Sequence, residues 1–137
     1  MHKNLIYIVI IQFIFLFSIG VARAGNDLPA PEGLTVSEGF VNPVGFYAST
    51  PSFSWKLPRD NNGVKQAAYS IVVASKPELL PDEADLWSSG KVDSGQSLYI
   101  SYGGSELQSR QKIYWQVRFW NEEGRSSQWS DVATVEM

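Results

Sequence analysis

The stretch from Ser109 to Ser130, SRQKIYWQVRFWNEEGRSSQWS, decides the fold of this chain. Three of the five tryptophans lie within it, namely Trp115, Trp120 and Trp129. Exposing rings at this density to water is unfavourable, so we expect the segment to pack against a core or a partner. Its pattern indicates a long strand, a charged turn that ends in glycine, and the start of a second strand.

Side chains 113–120 alternate with the period of two that is typical of a half-buried strand. The odd positions are all apolar, whereas the even positions mix polar groups with two amphipathic rings. We therefore predict that the odd face, including Trp115 and Phe119, lies in the core. Tyr114 and Trp120 are predicted to share the outer face.

The rest of the chain contains short β-type segments that are separated by turn residues. Residues 52–57 and 68–75 alternate in the same way, which places Trp55 and Tyr69 in the predicted core and makes Trp55 the natural partner of the odd face. Further strands are expected at 34–36, 86–92, 97–100 and 129–135, and a helical turn is expected only within 76–85. About seven strands with turns between them predict an all-β, immunoglobulin-like or fibronectin type III antiparallel β-sandwich.

The N-terminal residues predict export. A short basic start precedes an apolar run from Leu5 to Phe17, and Ala22-Arg23-Ala24 has the small-x-small pattern of a signal-peptidase site. The run is shorter than the ~20 residues that a spanning helix needs, which favours cleavage over an uncleaved anchor. We expect a signal peptide at 1–24, a linker at 25–30 and one domain at 31–137, located in the periplasm or outside the cell.

Composition argues against several classes of function. Cleavage would remove Lys3 and Arg23 from the 11 basic residues and leave nine against 14 acidic ones, a net charge of −5. This balance argues against nucleic acid, and against a membrane surface after leader cleavage, as partners. The chain has no cysteine, so neither a disulfide framework nor a thiolate metal site can form. The only histidine, His2, lies in the predicted leader, which leaves no serine–histidine pair.

The carboxylates offer no clear catalytic pair. The acidic clusters Asp82-Glu83-Asp85 and Glu122-Glu123 lie in predicted exposed loops, where carboxylates keep near-normal pKa values and serve solubility. Asp60-Asn-Asn-Gly63 is similar to the start of a calcium loop, but Ile71 stands at the twelfth position, where an acidic residue is needed. We therefore expect no catalytic residue, no metal and no cofactor in this chain.

The rings outside the core are the remaining functional candidates. Tyr114 and Trp120 could stack on sugars, and Trp87 and Trp129 are expected near sheet edges. Three interpretations stay open for these rings: packing within the fold, an interface with another domain, and a direct glycan site.

Four segments, taken in order, resemble one known family. They are Phe53-Ser-Trp55, Ala68–Ser75, Leu86-Trp-Ser-Ser-Gly-Lys-Val92 and Ser109–Ser130. Together they resemble the N-terminal fibronectin type III-like domain of bacterial α-L-rhamnosidases of glycoside hydrolase family 78, from about Pro31 to Met137. The resemblance implies a parent enzyme that releases terminal α-L-rhamnose from glycans by inversion. In that family the catalytic carboxylates lie in an (α/α)6 barrel that follows several β-sandwich domains.

For this chain the resemblance implies a non-catalytic accessory module that acts as an interdomain scaffold. None of the barrel has a counterpart here, so no catalytic residue of the family can be carried over, and we expect a leader plus one domain from a split or truncated gene. The implied partners are neighbouring β-sandwich and barrel domains, in cis or in trans, with a rhamnosylated glycan as a further candidate. The alternatives are a freestanding carbohydrate-binding module that uses Tyr114 and Trp120, and an enzyme assembled in trans with a separate catalytic chain.

Overall fold

The computed structural model describes residues 27–59 and 63–137. The predicted signal peptide, the start of the linker and the middle of the loop considered for calcium lie outside the described residues. The described part contains two antiparallel sheets and one short 3₁₀ helix at Pro77–Leu79. The predicted all-β sandwich is therefore confirmed, and the helical turn lies within the predicted range.

Seven strands build the two sheets. They are β1 (Glu32–Val36), β2 (Ser52–Lys56), β3 (Gln66–Ala74), β4 (Trp87–Ser88), β5 (Ile100–Ser101), β6 (Lys112–Asn121) and β7 (Ala133–Glu136). One sheet has the order β1-β2-β5 and the other the order β4-β3-β6-β7. The chain thus crosses between the sheets several times, as expected of an immunoglobulin-like sandwich.

β6 shows the alternation that its sequence predicts. Its odd positions are fully buried, at Ile113, Trp115, Val117 and Phe119. Its even positions, from Tyr114 to Trp120, remain partly exposed. A long antiparallel ladder joins β6 to β3, which is buried over most of its length and supplies much of the same core.

Trp55 lies in the same buried core cluster as the odd face of β6, as the sequence predicts. The ring that lies against Trp115 is Phe53, with 4.3 Å between the two centroids. Trp55 is buried in the same core, but its ring contacts Tyr69, with centroids 5.3 Å apart. Its indole N–H donates to Oε1 of Gln66 at 3.0 Å. Because a buried indole N–H is more stable with an acceptor, this bond favours an orientation of Trp55 toward β3.

β7 begins at Ala133 rather than at the predicted Trp129, and β4 and β5 are shorter than predicted because of left-handed backbone positions. β4 occupies only Trp87–Ser88 of the predicted range, and Gly90 has a φ of 62°. The chain rejoins β3 afterwards through a single bridge between Tyr69 and Val92. β5 begins at Ile100, directly after Tyr99 with a φ of 56°. A residue with a positive φ interrupts an extended strand, so β4 ends before Gly90 and β5 begins only after Tyr99.

The segment between β1 and β2 lies along β7, although it contains the typical turn residues Asn42-Pro-Val-Gly45. The amide of Phe46 donates to the carbonyl of Glu136 at 2.8 Å, and the amide of Glu136 donates to the carbonyl of Pro43 at 2.9 Å. Val44 forms a parallel bridge with Glu136. The segment therefore extends the four-stranded sheet at its β7 edge.

Candidate functional site

The outer face of the four-stranded sheet carries alternating cations and indole rings. The guanidinium carbon of Arg118 lies 4.7 Å from the ring centroid of Trp120 and 4.8 Å from that of Trp129. The Nζ of Lys91 lies 5.0 Å from the Trp120 centroid. All three distances are within the range of cation–π attraction. We call Lys91, Arg118, Trp120 and Trp129 the cation–aromatic ladder.

Two serines position Trp129 in the ladder. The hydroxyl of Ser127 accepts from the amide of Phe119 at 3.0 Å, and the hydroxyl of Ser130 accepts from the amide of Val117 at 3.1 Å. The serine amides donate in turn to the carbonyls of Phe119 at 2.8 Å and Val117 at 2.9 Å. The chain after the turn is thereby held against β6 on both sides of Trp129, which brings this ring beside Arg118.

The positive charge of Arg118 is stabilised mainly by its contact with the two indole rings. Its Nε is buried and has no hydrogen-bond partner in the described part of the chain. The ion pairs found among the described residues join Arg59 to Glu32 and Lys112 to Glu136, each at 3.8 Å. Neither pair involves the ladder, so cation–π attraction is the main interaction that the structure provides for this guanidinium.

Tyr114 lies on the same face as Trp120 but near the other end of β6. The Nζ of Lys112 lies 5.6 Å from the Tyr114 ring centroid. Tyr114 and Trp120 are six positions apart, about 20 Å along a strand, with Gln116 and Arg118 between them. The two rings proposed for sugar stacking thus share a face, but a single sugar ring cannot contact both.

The four residues assigned to the core from the sequence all lie inside the sandwich. Trp55, Tyr69, Trp115 and Phe119 are buried. Burial raises the pKa of Tyr69 above its ordinary value. The Nε1 of Trp115 is buried without a hydrogen-bond partner in the described residues. These rings therefore serve packing and are not available to a ligand.

The acidic clusters lie in the loops, as the sequence predicts. Asp82, Glu83, Glu122 and Glu123 are exposed. The carboxylate of Asp85 accepts from the hydroxyl of Ser75 at 2.6 Å and from its amide at 2.8 Å. These bonds lower the pKa of Asp85, the opposite of the shift that a general acid requires. Residues 27–59 and 63–137 contain no group of three or more side chains that could hold a metal ion.

One apolar surface was missed by the sequence analysis. Phe40, Val41, Val44 and Tyr47 are 46%, 69%, 77% and 70% exposed, and Val132 before β7 is 42% exposed. We call these five residues the edge patch. Four of them lie in a short segment with apolar and aromatic character, but Asn42, Pro43 and Gly45 within it indicated only a turn.

An open cavity of about 520 Å³ adjoins the edge patch. Its lining includes Val41 and Val132 of the patch, together with Leu34, Trp55 and Leu98. Charged side chains also reach it, at Glu32, Lys56 and Asp131. The cavity therefore shares two residues with the edge patch, and its lining is both apolar and charged.

The structure also bears on the question of membrane insertion. In the described residues, no helix has the length and apolar character that crossing a bilayer requires.

Comparison with known proteins identifies relatives over nearly the whole described chain. The family model for the Rha78A-like, N-terminal immunoglobulin domain matches residues 31–137. The alpha-L-rhamnosidase of Formosa agariphila is 45% identical over 139 residues, which cover 100% of this chain and 15% of that enzyme. The structure of the alpha-L-rhamnosidase from Dictyoglumus thermophilum matches with a TM-score of 0.75 at 35% identity, over 82% of this chain and 13% of that one.

The fibronectin type-III domain of human fibronectin type III domain containing protein 3 shares the fold. It matches with a TM-score of 0.50 at 17% identity, over 84% of this chain and 91% of that domain. This chain spans only 15% of the length of the Formosa enzyme, and the match falls on the N-terminal domain, so the catalytic domain of these enzymes is not in this chain. The resemblance derived from the sequence is confirmed: the chain belongs to the family of Rha78A-like N-terminal immunoglobulin domains of α-L-rhamnosidases.

Proposed function

We propose that this chain is a non-catalytic accessory module of an α-L-rhamnosidase-type protein and that it acts as an interdomain scaffold. The observation that carries the proposal is the match of residues 31–137 to an N-terminal domain that makes up a small part of much longer enzymes. A domain of this size with its own aromatic core can hold neighbouring domains in place without taking part in the chemistry.

The electrostatics of the described carboxylates supports a role without catalysis. Inverting glycosidases need a protonated and an ionised carboxyl about 6.5–9.5 Å apart across a sugar site. The acidic clusters of this chain are exposed, and hydrogen bonds from Ser75 keep Asp85 ionised. Such carboxylates favour solubility rather than proton transfer.

Hydrolysis of an aryl α-L-rhamnoside tests the non-catalytic part of the proposal. We expect no hydrolysis by the full chain alone. We also expect a chimera that carries residues 27–137 in place of the matching domain of the Formosa enzyme to be active. Removal of that domain should lower the unfolding temperature of the remaining enzyme. Hydrolysis by the chain alone, or a deletion that leaves the unfolding temperature unchanged, would contradict the proposal.

Export belongs to the same proposal. Its support is the basic start, the apolar run and the small residues Ala22 and Ala24. Mass spectrometry of the expressed protein should find a mature chain that begins at Gly25 in the periplasm or the medium. A chain that begins at Met1 and stays with the membrane fraction would contradict cleavage.

A carbohydrate-binding module is the second candidate function. Its support is the position of Tyr114 and Trp120 on one partly exposed face, beside the cations of Lys91, Arg118 and Lys112. Such cations can donate hydrogen bonds to sugar hydroxyls next to the rings. Titration with rhamnose and rhamnosylated glycans should then quench tryptophan fluorescence saturably in the wild type but not in Trp120→Ala. Tyr47→Ala, which lies off this face, is the matched control and should bind like the wild type.

A further inference from the structure

We infer that the edge patch is the docking surface for the domain that follows this one in α-L-rhamnosidase-type proteins. The inference rests on the proposed scaffold function and names the surface that performs it. The patch consists of Phe40, Val41, Val44, Tyr47 and Val132, all of which expose much of their apolar side chains. Exposed apolar side chains that cluster in one region often mark an interaction site.

The position of the patch beside β7 indicates its occupant. Backbone bonds tie Phe46 and Pro43 to Glu136, and the amide of Thr134 donates to the side-chain oxygen of Asn42 at 2.9 Å. The patch is thus held to the last strand of the domain. In the relatives this domain is N-terminal and fills only a small part of the enzyme, so their chain continues beyond the position of Met137.

Tethering makes the following domain the favoured occupant. A chain that leaves β7 starts within a few residues of the patch, and a short linker gives an effective concentration in the millimolar range. At such a concentration a contact with a dissociation constant below about 1 mM is occupied most of the time. An untethered partner would need a much larger surface to reach the same occupancy.

The patch is also organised before any partner binds. Phe46 is buried beneath it, with ring centroids 6.0 Å from Phe40 and 5.0 Å from Tyr47. The hydroxyl of Tyr47 donates to the carboxylate of Glu38, 2.9 Å from each oxygen. This bond raises the pKa of Tyr47 and orders an otherwise exposed ring. Ordering before binding lowers the entropic cost of docking.

The contrast with the cation–aromatic ladder supports this choice of surface. The rings of Trp120 and Trp129 are already in contact with Arg118. The side chains of Val41 and Val44 have apolar surface that faces water. Covering the edge patch would therefore bury side chains that are exposed, whereas the two indole rings are already partly buried.

The test uses the chimera with the Formosa enzyme and the substitution Val44→Asp. In the wild-type chimera, domain and enzyme should unfold in one calorimetric transition, with slow proteolysis at their junction. Val44→Asp should split the transition and accelerate cleavage at the junction about tenfold or more, the effect of losing about 1.4 kcal/mol of coupling. Tyr47→Ser, on the same patch, should act in the same direction.

The matched control is Tyr99→Asp, because Tyr99 is 61% exposed and precedes β5, an edge strand of the three-stranded sheet, whereas the edge patch lies along β7 of the four-stranded sheet. This variant should behave like the wild-type chimera. The isolated full-length chains should all unfold within about 3 °C of one another, as expected for surface changes.

The outcomes separate the docking surface from the scaffold function. Two independent transitions in the wild-type chimera would overturn the scaffold function and the inference with it. A coupled wild type in which neither Val44→Asp nor Tyr47→Ser changes the coupling would overturn only the docking surface. Sedimentation of the isolated chain as a dimer that Val44→Asp dissociates would instead assign the patch to a second copy.

Discussion

β6 carries tryptophans on both of its faces, and the two faces stabilise their rings in different ways. On the inner face Trp115 is fully buried against Phe53, and its indole N–H has no partner in the described residues. On the outer face Trp120 lies beside Arg118 and Lys91 and stays partly exposed. The inner ring is held by exclusion of water and close packing, and the outer ring is held by cations.

This comparison shows that a count of aromatic residues does not locate a binding site. Rings on one strand can serve the core or a cation–π cluster, and neither use requires a ligand. Val41 and Val44 of the edge patch have neither form of protection, since their side chains face water. The edge patch is therefore the surface of the molecule for which a partner is most strongly indicated.

The largest predicted effect is on the inner face. Trp115→Ala should lower the free energy of unfolding by about 3–5 kcal/mol, because it removes a fully buried ring and leaves a cavity. Urea unfolding of the full chain measures the loss. Trp115→Phe is the control and should cost clearly less, since it keeps a ring and removes an indole donor that has no partner. An equal or larger loss in Trp120→Ala would contradict the distinction between the two faces.

The next largest effect on stability is expected at Ser130, whose hydroxyl accepts a hydrogen bond from β6. Ser130→Ala should cost about 1–3 kcal/mol, because the buried amide of Val117 loses its acceptor. The same substitution at Ser105, which is exposed, should change stability by less than about 0.5 kcal/mol. Chemical denaturation compares the two variants, and hydrogen exchange at Val117 should accelerate in Ser130→Ala only. Unchanged exchange there would show that water replaces the hydroxyl without loss.

A smaller effect is expected on the outer face. Arg118→Met keeps an apolar stem but removes the cation between Trp120 and Trp129, so it should destabilise the domain by about 0.5–2 kcal/mol. Lys91→Met, at an exposed position, should have a smaller effect. Thermal unfolding of the two variants provides the measurement. A domain made more stable by Arg118→Met would show that desolvation of the guanidinium outweighs its attraction to the rings.

The smallest predicted effect is a pH-dependent contribution of Asp85 to stability. This residue lies outside β6. Hydrogen bonds from Ser75 lower the pKa of Asp85 in the folded state. Their stabilisation is therefore present above the unfolded pKa of about 4 and is lost as the pH falls through the lower, folded value. Asp85→Ala should be less stable than the wild type at pH 7, and the gap should narrow below about pH 4. A gap that stays constant down to pH 2 would exclude ionisation as its cause.

Some features of the fold and the candidate site could be predicted from local sequence. The alternation in β6, the burial of Trp55 and the helical turn near Pro77 all follow from residues close together in the chain. The lengths of β4 and β5 could not be predicted, because they depend on left-handed positions at Gly90 and Tyr99 that alternation does not reveal.

Local sequence also did not show which side chains contact one another across the sandwich. Trp55 was expected against the odd face of β6 and lies in the same core, but local sequence did not show that Phe53 is the ring in contact with Trp115 or that Gln66 accepts the indole N–H of Trp55. The edge patch was missed for a related reason. Asn42, Pro43 and Gly45 indicate a turn, and nothing nearby in the chain shows that this turn lies along β7.

The sequence by itself determined which face of β6 enters the core, that the fold is an all-β sandwich and which family the chain resembles. Side chains alternate across any strand, so these conclusions do not depend on how the sheets assemble. Only the tertiary structure decided that Arg118 lies between Trp120 and Trp129 and that the edge patch adjoins β7. Those contacts join segments that are distant or turn-separated in the chain, and their meeting depends on strand pairing and twist rather than on local pattern.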